Sequence, residues 1–169
     1  MKAVIQRVTN AKVILNNEVP VSIGPGICVL VGFHKEDTLK DLEYIVKKIL
    51  SVKLYADDND ENWEKSVVDK QLEVLIISQY TIYNGWKGNT PDFHKTMGGE
   101  KSQELYSKLM EMAREIYNPE KVKDGVFGIY RQLYLENDGS MTFEIDSPQA
   151  CHELPNENTR RVQLTVDAR

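Results

Sequence analysis

Apolar and polar residues alternate along "KAVIQRV" (2–8) and again along "AKVIL" (11–15). A period of two marks half-buried strands, so both stretches are read as β. Asn16-Asn17 signals a turn into "EVPVSI", and Gly24-Pro25-Gly26 signals another. "ICVLVGF" (27–33) is apolar throughout, the pattern of a strand covered on both faces. Then the period changes. Over 38–50, "TLKDLEYIVKKIL" sets Leu39, Leu42, Ile45, Val46, Ile49 and Leu50 on one helical face, and Thr38 with Asp41 forms a capping box. A short strand "KLYA", an acidic loop and a second buried strand "LEVLIIS" (72–78) follow. Residues 100–117 make a second amphipathic helix, striped by Leu105, Leu109, Met112 and Ile116 and stopped by Asn118-Pro119. Two alternating runs, 129–136 and 141–146, flank Asn137-Asp138-Gly139 and read as a hairpin. Strands outnumber helices, and strand runs separate the two helices. The pattern argues for an α/β or α+β sheet protein with helices over one face.

Composition narrows the class. The 169 residues fit one domain with a real core, and 41% hydrophobic with 28% charged residues is globular rather than disordered. No apolar run approaches the ~18–20 residues that span a bilayer, and the alternating N-terminus is no signal peptide, so no membrane role is expected. Cys28 and Cys151 are far apart with no CxxC, which excludes a disulfide scaffold and points to the cytoplasm. The formal charge of −5 excludes a protein that holds nucleic acid mainly by neutralising phosphates. Any RNA contact must be a local patch gripping one end. The polar tail 149–169 contains one alternating run, "RVQLTV" (161–166), that could pair at a sheet edge.

The usual catalytic constellations are missing from the sequence. Asp58-x-Asp60-x-Asn62 opens like a calcium loop, but Trp63 stands where glycine is required and Asp69 where glutamate is. His34, His94 and His152 show no metal-ligand spacing, so no metal is expected. There is no nucleophile elbow, Walker loop or dinucleotide fingerprint, and Cys28 lies within an apolar run. The informative stretch is "SQYTIYNGWKGNTPDFH" (78–94). Ser78, Gln79 and Thr81 interrupt a strand apolar up to Ile77, at a cost of about 1–3 kcal/mol each if buried without partners. Either the strand runs out into solvent, or these groups face a ligand at its carboxyl end, flanked by Lys87 and Lys95.

"SQYTI" resembles the Ser-Gln-x-Thr-Leu motif of the D-aminoacyl-tRNA deacylases, and "NDGSMT" resembles their Asn-x-Gly-Pro-Val-Thr motif. "MKAVIQRVTNAKV", "GICVLVG", "KGNTPDFH" and "KDGVFGIY" are also similar to members, the animal-type ones above all. The resemblance covers 1–148 as one domain and leaves 149–169 outside. It implies a three-layer α/β/β fold with mixed sheets and two main helices. It also implies a homodimeric cytoplasmic enzyme without cofactor, which hydrolyses the ester of D-aminoacyl-tRNA, or of glycyl-tRNA, at the 3′-terminal adenosine. Translation quality control is the role implied. Ser78, Gln79 and Thr81 become the catalytic set. Tyr80, Phe127, Asn137, Gly139, Ser140, Met141 and Thr142 become substrate-binding residues, the last five reaching into the partner subunit's site. Backbone N–H groups around Gln79–Thr81 are candidate oxyanion donors. Phe127 and the Tyr80–Trp86 segment are candidates to stack on the adenine, and Phe127 reads equally well as core.

Two points stay open in the sequence. The nucleophile is either Thr81 or a water assisted by the ribose 2′-OH; no histidine or carboxylate adjoins Thr81 to activate it. At Ser140 the chain lacks the family's proline, whose preceding peptide is cis in relatives. A cis Gly139-Ser140 bond would cost ~2.5–4 kcal/mol against ~0.5–1 for a prolyl bond. The bond is therefore cis and held by its surroundings, or trans with altered chiral selection, or catalysis has given way to tRNA binding alone.

Overall fold

The computed structural model describes residues 1–15 and 19–148. Asn16-Asn17 and the 161–166 run lie outside the described residues. The elements in order are β1 (Lys2–Leu15), β2 (Val21–Ile23), β3 (Gly26–Gly32), α1 (Leu39–Ser51), β4 (Lys53–Tyr55), β5 (Lys65–Ser66) and β6 (Glu73–Ser78). A 3₁₀ turn (Tyr80–Ile82), β7 (Gly85–Lys87), β8 (Thr90–Asp92), α2 (Gly99–Ile116), β9 (Val122–Asp124) and β10 (Arg131–Asp146) complete them. One sheet runs β10-β1-β3-β6-β9, with β2 also paired to β1. β3, β6 and β9 are mutually parallel, and β1 is antiparallel to both β3 and β10. Parallel neighbours need crossovers, and here α1 lies in one and α2 in the other.

Alternation on the central strands sorts the core into two halves. Ile27, Val29, Val31, Val74 and Ile76 pack with Leu42, Ile45 and Ile49 of α1 and with Tyr106, Leu109 and Ala113 of α2. The intervening Cys28, Leu75 and Ile77 pack instead with Val8, Ala11, Val13 and Leu15 and with Leu133 and Leu135. The outer halves of β1 and β10 thus cover the face that the helices leave. Helices, central sheet and this β-layer make the three layers, an α/β/β arrangement.

Three local expectations are corrected. The runs 129–136 and 141–146 do not pair with each other. Both pair with β1, from Leu15↔Arg131 to Val8↔Asn137 and from Gln6↔Thr142 to Lys2↔Asp146, so β10 is one long strand. Asp138 to Met141 lie opposite Arg7 alone, as an extruded turn. Alternation reports which face is buried, and both runs obey it, but it carries no information about the partner strand. β1 likewise continues through 9–10, absorbing the break in alternation at register shifts.

The third correction is the α2 stripe. Leu109 is buried as expected and Leu105 and Met112 pack partly buried against the core, but Ile116 is half exposed, and Ser102, Tyr106, Met110 and Ala113 join the buried face. Tyr106 turns the helix: its hydroxyl lies 2.8 Å from the Ile76 carbonyl and 2.7 Å from Asp124 Oδ1. A tyrosine whose hydroxyl proton has acceptors within reach is worth burying, and an aliphatic-only count passes it over. On α1 the stripe holds from Leu42 to Leu50, with Leu39 exposed, and Asp41 Oδ2 accepts the Thr38 N–H at 2.9 Å in the capping box.

Candidate active site

β6 ends at Ser78, where the chain leaves the sheet and tightens into the 3₁₀ turn. The turn is held against β3 by the Gln79 N–H donating to Val31 O at 2.7 Å. Gly32, the last residue of β3, lets it come this close: a Cβ there would sit 2.6 Å from Ile82 Cγ1 and 2.9 Å from Gln79 O. A cavity of about 450 Å³ opens at this strand end. It is lined by Ser78, Gln79 and Tyr80, by Phe127 to Arg131, and by Phe33 and Met97. Phe127 lines the cavity and also packs on Tyr106, with ring centroids 5.5 Å apart.

The polar groups that break β6 all have partners. Arg131 Nη2 donates to Ser78 O at 3.2 Å and reaches Ser78 Oγ at 3.4 Å. Its Nη1 donates to Val126 O at 2.5 Å and to Gly125 O. Burial lowers the Arg131 pKa, against the opposing influence of Tyr106 and Asp124. This guanidinium ties the end of β6 to the loop carrying Phe127, and it places positive charge on the cavity wall. Because Ser78 Oγ accepts from Arg131, its own proton is free to point into the cavity. The Gln79 side-chain amide donates to Thr81 Oγ1.

The oxyanion expectation is narrowed. The Gln79 N–H is committed to Val31 O, which removes it from the candidates. The Tyr80 and Thr81 N–H groups open the 3₁₀ turn and have no intrahelical acceptor, so they are the donors left. Cys28 is fully buried, and burial pushes its thiol up to about 12, which rules out a thiolate nucleophile.

The Asn137–Thr142 tip is elsewhere. Of Asn137, Gly139, Ser140, Met141 and Thr142, none lines the cavity of its own chain. The tip is gripped by Arg7, whose Nε lies 2.8 Å from Asp138 Oδ2 and whose Nη1 donates to Leu54 O at 2.6 Å. No peptide bond among the described residues is cis, so Gly139-Ser140 is trans. Gly139 and Ser140 have φ of 67° and 52°, the successive left-handed residues a primed turn requires. For serine this backbone costs about 1–2 kcal/mol. Ser140→Gly should therefore raise stability by about 0.5–1 kcal/mol, after the greater flexibility of unfolded glycine is deducted. Urea unfolding midpoints at unchanged slope would measure it; a lower midpoint would contradict the turn as described.

Sequence reasoning missed Arg131, Arg7 and Gly32. The isolated cation within the alternating run 129–136 was the one available signal for Arg131.

Comparison with known proteins gives a consistent picture. The family model for D-Tyr-tRNA(Tyr) deacylase matches residues 4–146. The chain is 49% identical over 148 residues to D-aminoacyl-tRNA deacylase 1 of Bos taurus, covering 88% of this chain and 71% of the relative. It is 49% identical over 149 residues to D-aminoacyl-tRNA deacylase of Drosophila melanogaster, covering 88% and 94%. A solved structure described as c-Myc DNA Unwinding Element Binding Protein superposes with a TM-score of 0.84 at 48% identity, over 88% of this chain and 99% of the other.

Proposed function

The chain belongs to the D-Tyr-tRNA(Tyr) deacylase family and has the activity of a D-aminoacyl-tRNA ester hydrolase, and we propose that its hydrolytic site is the cavity at the end of β6. One observation carries the placement. Ser78, Gln79 and Tyr80 line a cavity where a buried strand ends, with Ser78 Oγ tied to Arg131, the Gln79 side-chain amide to Thr81 Oγ1 and the Gln79 N–H to Val31 O. Ester hydrolysis needs donors for the developing oxyanion and a positioned nucleophile. The N–H groups of Tyr80 and Thr81 and the Ser78 hydroxyl supply the first, beside the Arg131 charge. For the second, a water assisted by the 2′-OH of the substrate's ribose is the reading that the hydrogen bonding of Thr81 supports. The terminal adenine stacks on Phe127, which lines the cavity, and not on Trp86, which does not.

The enzyme acts as a homodimer in the cytoplasm, with the Asn137–Thr142 tip completing the partner's cavity. Two features support this assembly. The tip lies outside the cavity of its own chain, and β10 ends the sheet with its outer edge open among the described residues. Among the described residues no helix is long and apolar enough to cross a membrane. A reading as a binding module without turnover gains no support from relatives named as deacylases.

The test is deacylation of one tRNA charged in parallel with a D-amino acid, its L-enantiomer and glycine. D-aminoacyl- and glycyl-tRNA should turn over and the L-ester more slowly. Binding without turnover of the D-ester would overturn the reading.

A further inference from the structure

β7 and β8 form a ribbon of three residues a side, outside the six-stranded sheet. A ribbon this short has little stability of its own, so what it is fastened to and what it displays both matter. It is fastened to the cavity. Phe93, just after β8, makes an edge contact with the cavity-lining Tyr80, ring centroids 5.3 Å apart. Asn84, just before β7, donates from Nδ2 to Thr81 O at 3.0 Å. Thr96 Oγ1 donates to Tyr83 O at 3.1 Å.

What the ribbon displays is an indole and a cation. Trp86 pairs with Pro91 and Lys87 with Thr90, so tryptophan and proline share one face while Lys87 and Asp92 share the other. Trp86 is 68% exposed, and Tyr80, against which Phe93 packs, is 60% exposed. Asp92 holds Lys87 Nζ at 3.3 Å and His94 Nδ1 at 2.5 Å. With Lys95, residues 85–95 carry two lysines against one aspartate, a positive segment in a chain of net charge −5.

We infer that the β7–β8 ribbon is the subsite for the single-stranded nucleotides preceding the terminal adenosine, with Trp86 stacking on a base and Lys87 meeting a backbone phosphate. The inference rests on the cavity being the hydrolytic site. An acceptor strand whose last nucleoside enters that cavity must leave across its rim. Two exposed aromatics line the cavity, Tyr80 and Tyr130 at 78% exposure, and Trp86 stands on the ribbon fastened to Tyr80 through Phe93. The cation beside Tyr130, Arg131, is committed to carbonyl oxygens, whereas the ribbon's Lys87 is 75% exposed. Base stacking tolerates any sequence, as a shared acceptor end requires, and one phosphate contact suits a protein of this overall charge.

Two substrates separate this subsite from the cavity: full-length D-aminoacyl-tRNA, and D-aminoacyl-adenosine, which ends at the cavity. Trp86→Ala should raise KM for the tRNA about tenfold with kcat unchanged, and leave both constants for the adenosine ester at wild-type values. Lys87→Gln should do the same more weakly and flatten the salt dependence of kcat/KM for tRNA. Equal losses on both substrates would make the ribbon a mere support of the cavity, and no loss on either would leave it without a role in binding; each overturns the inference. So does a Trp86→Ala protein that sediments as a smaller species than wild type, because the ribbon is then a subunit contact. Wild-type protein that hydrolyses neither substrate overturns the site assignment itself.

Discussion

D-aminoacyl-tRNA ending in 2′-deoxyadenosine is expected to be hydrolysed at least about 100-fold more slowly than the ribose-ended substrate, the size of a lost proton-transfer partner. Thr81→Ala, by contrast, should leave the single-turnover rate close to wild type. The reason lies in what surrounds the threonine. Its Oγ1 accepts a hydrogen bond from the Gln79 amide, which draws electron density away from the oxygen. A nucleophilic hydroxyl needs a base within hydrogen-bond reach to take its proton. Among the described residues no histidine or carboxylate is bonded to Thr81: His94 is held by Asp92, and His34 accepts the Glu36 N–H at Nδ1 while its buried Nε2 has no hydrogen-bond partner, Thr81 included. The Gln79–Thr81 pair therefore fixes the turn and its N–H groups, and the substrate must bring the group that handles the proton. The ribose 2′-OH adjoins the ester and is held by the same binding event. Rates measured with the deoxy substrate at saturation would decide the matter. A deoxy substrate cleaved at the normal rate, together with a dead Thr81→Ala enzyme, would instead make Thr81 the nucleophile.

Where the sequence was legible follows from how local the physics is. The strand and helix periods depend on neighbours one to four residues away, so α1, β3 and β6 read correctly. Strand pairing depends on the rest of the chain. The two halves of β10 look like a hairpin because a turn-forming Asn-Asp-Gly lies between alternating runs, and nothing local reveals that both halves lie against β1. The same division runs through the site. Ser78, Gln79 and Thr81 announce themselves as polar residues at the end of an apolar strand, although Thr81 does not line the cavity. The group that makes Ser78 affordable there, Arg131, arrives from 53 residues away. The Asn137–Thr142 residues were legible only through resemblance. Their turn shows why serine is tolerated, since both residues take a left-handed backbone with a trans bond that proline, fixed near φ −65°, could not adopt at this position.

Gly32→Ala should lower kcat about 100-fold or more while costing only about 1–3 kcal/mol of stability, a split between rate and fold that follows from where the new methyl lands. Gly32 ends β3, which is paired on both sides, to β1 through Lys2↔Gly32 and to β6 through Val31↔Ser78. A strand fixed on two edges yields little. A Cβ at this position would meet Ile82 Cγ1 at 2.6 Å, Gln79 O at 2.9 Å and Ile82 Cδ1 at 3.0 Å, so the 3₁₀ turn must give way. That turn carries the Tyr80 and Thr81 N–H groups, and a shift on the order of 1 Å is enough to misalign oxyanion donors. The core beneath is untouched, so the unfolding transition should remain cooperative. A second substitution sharpens the test. Ile82→Ala removes two of the three close atoms, so Gly32→Ala combined with Ile82→Ala should recover part of the lost rate without recovering the stability. If Gly32→Ala retains wild-type kcat, the turn is not the catalytic element; if the double variant is slower than Gly32→Ala alone, the steric route from β3 to the site is wrong.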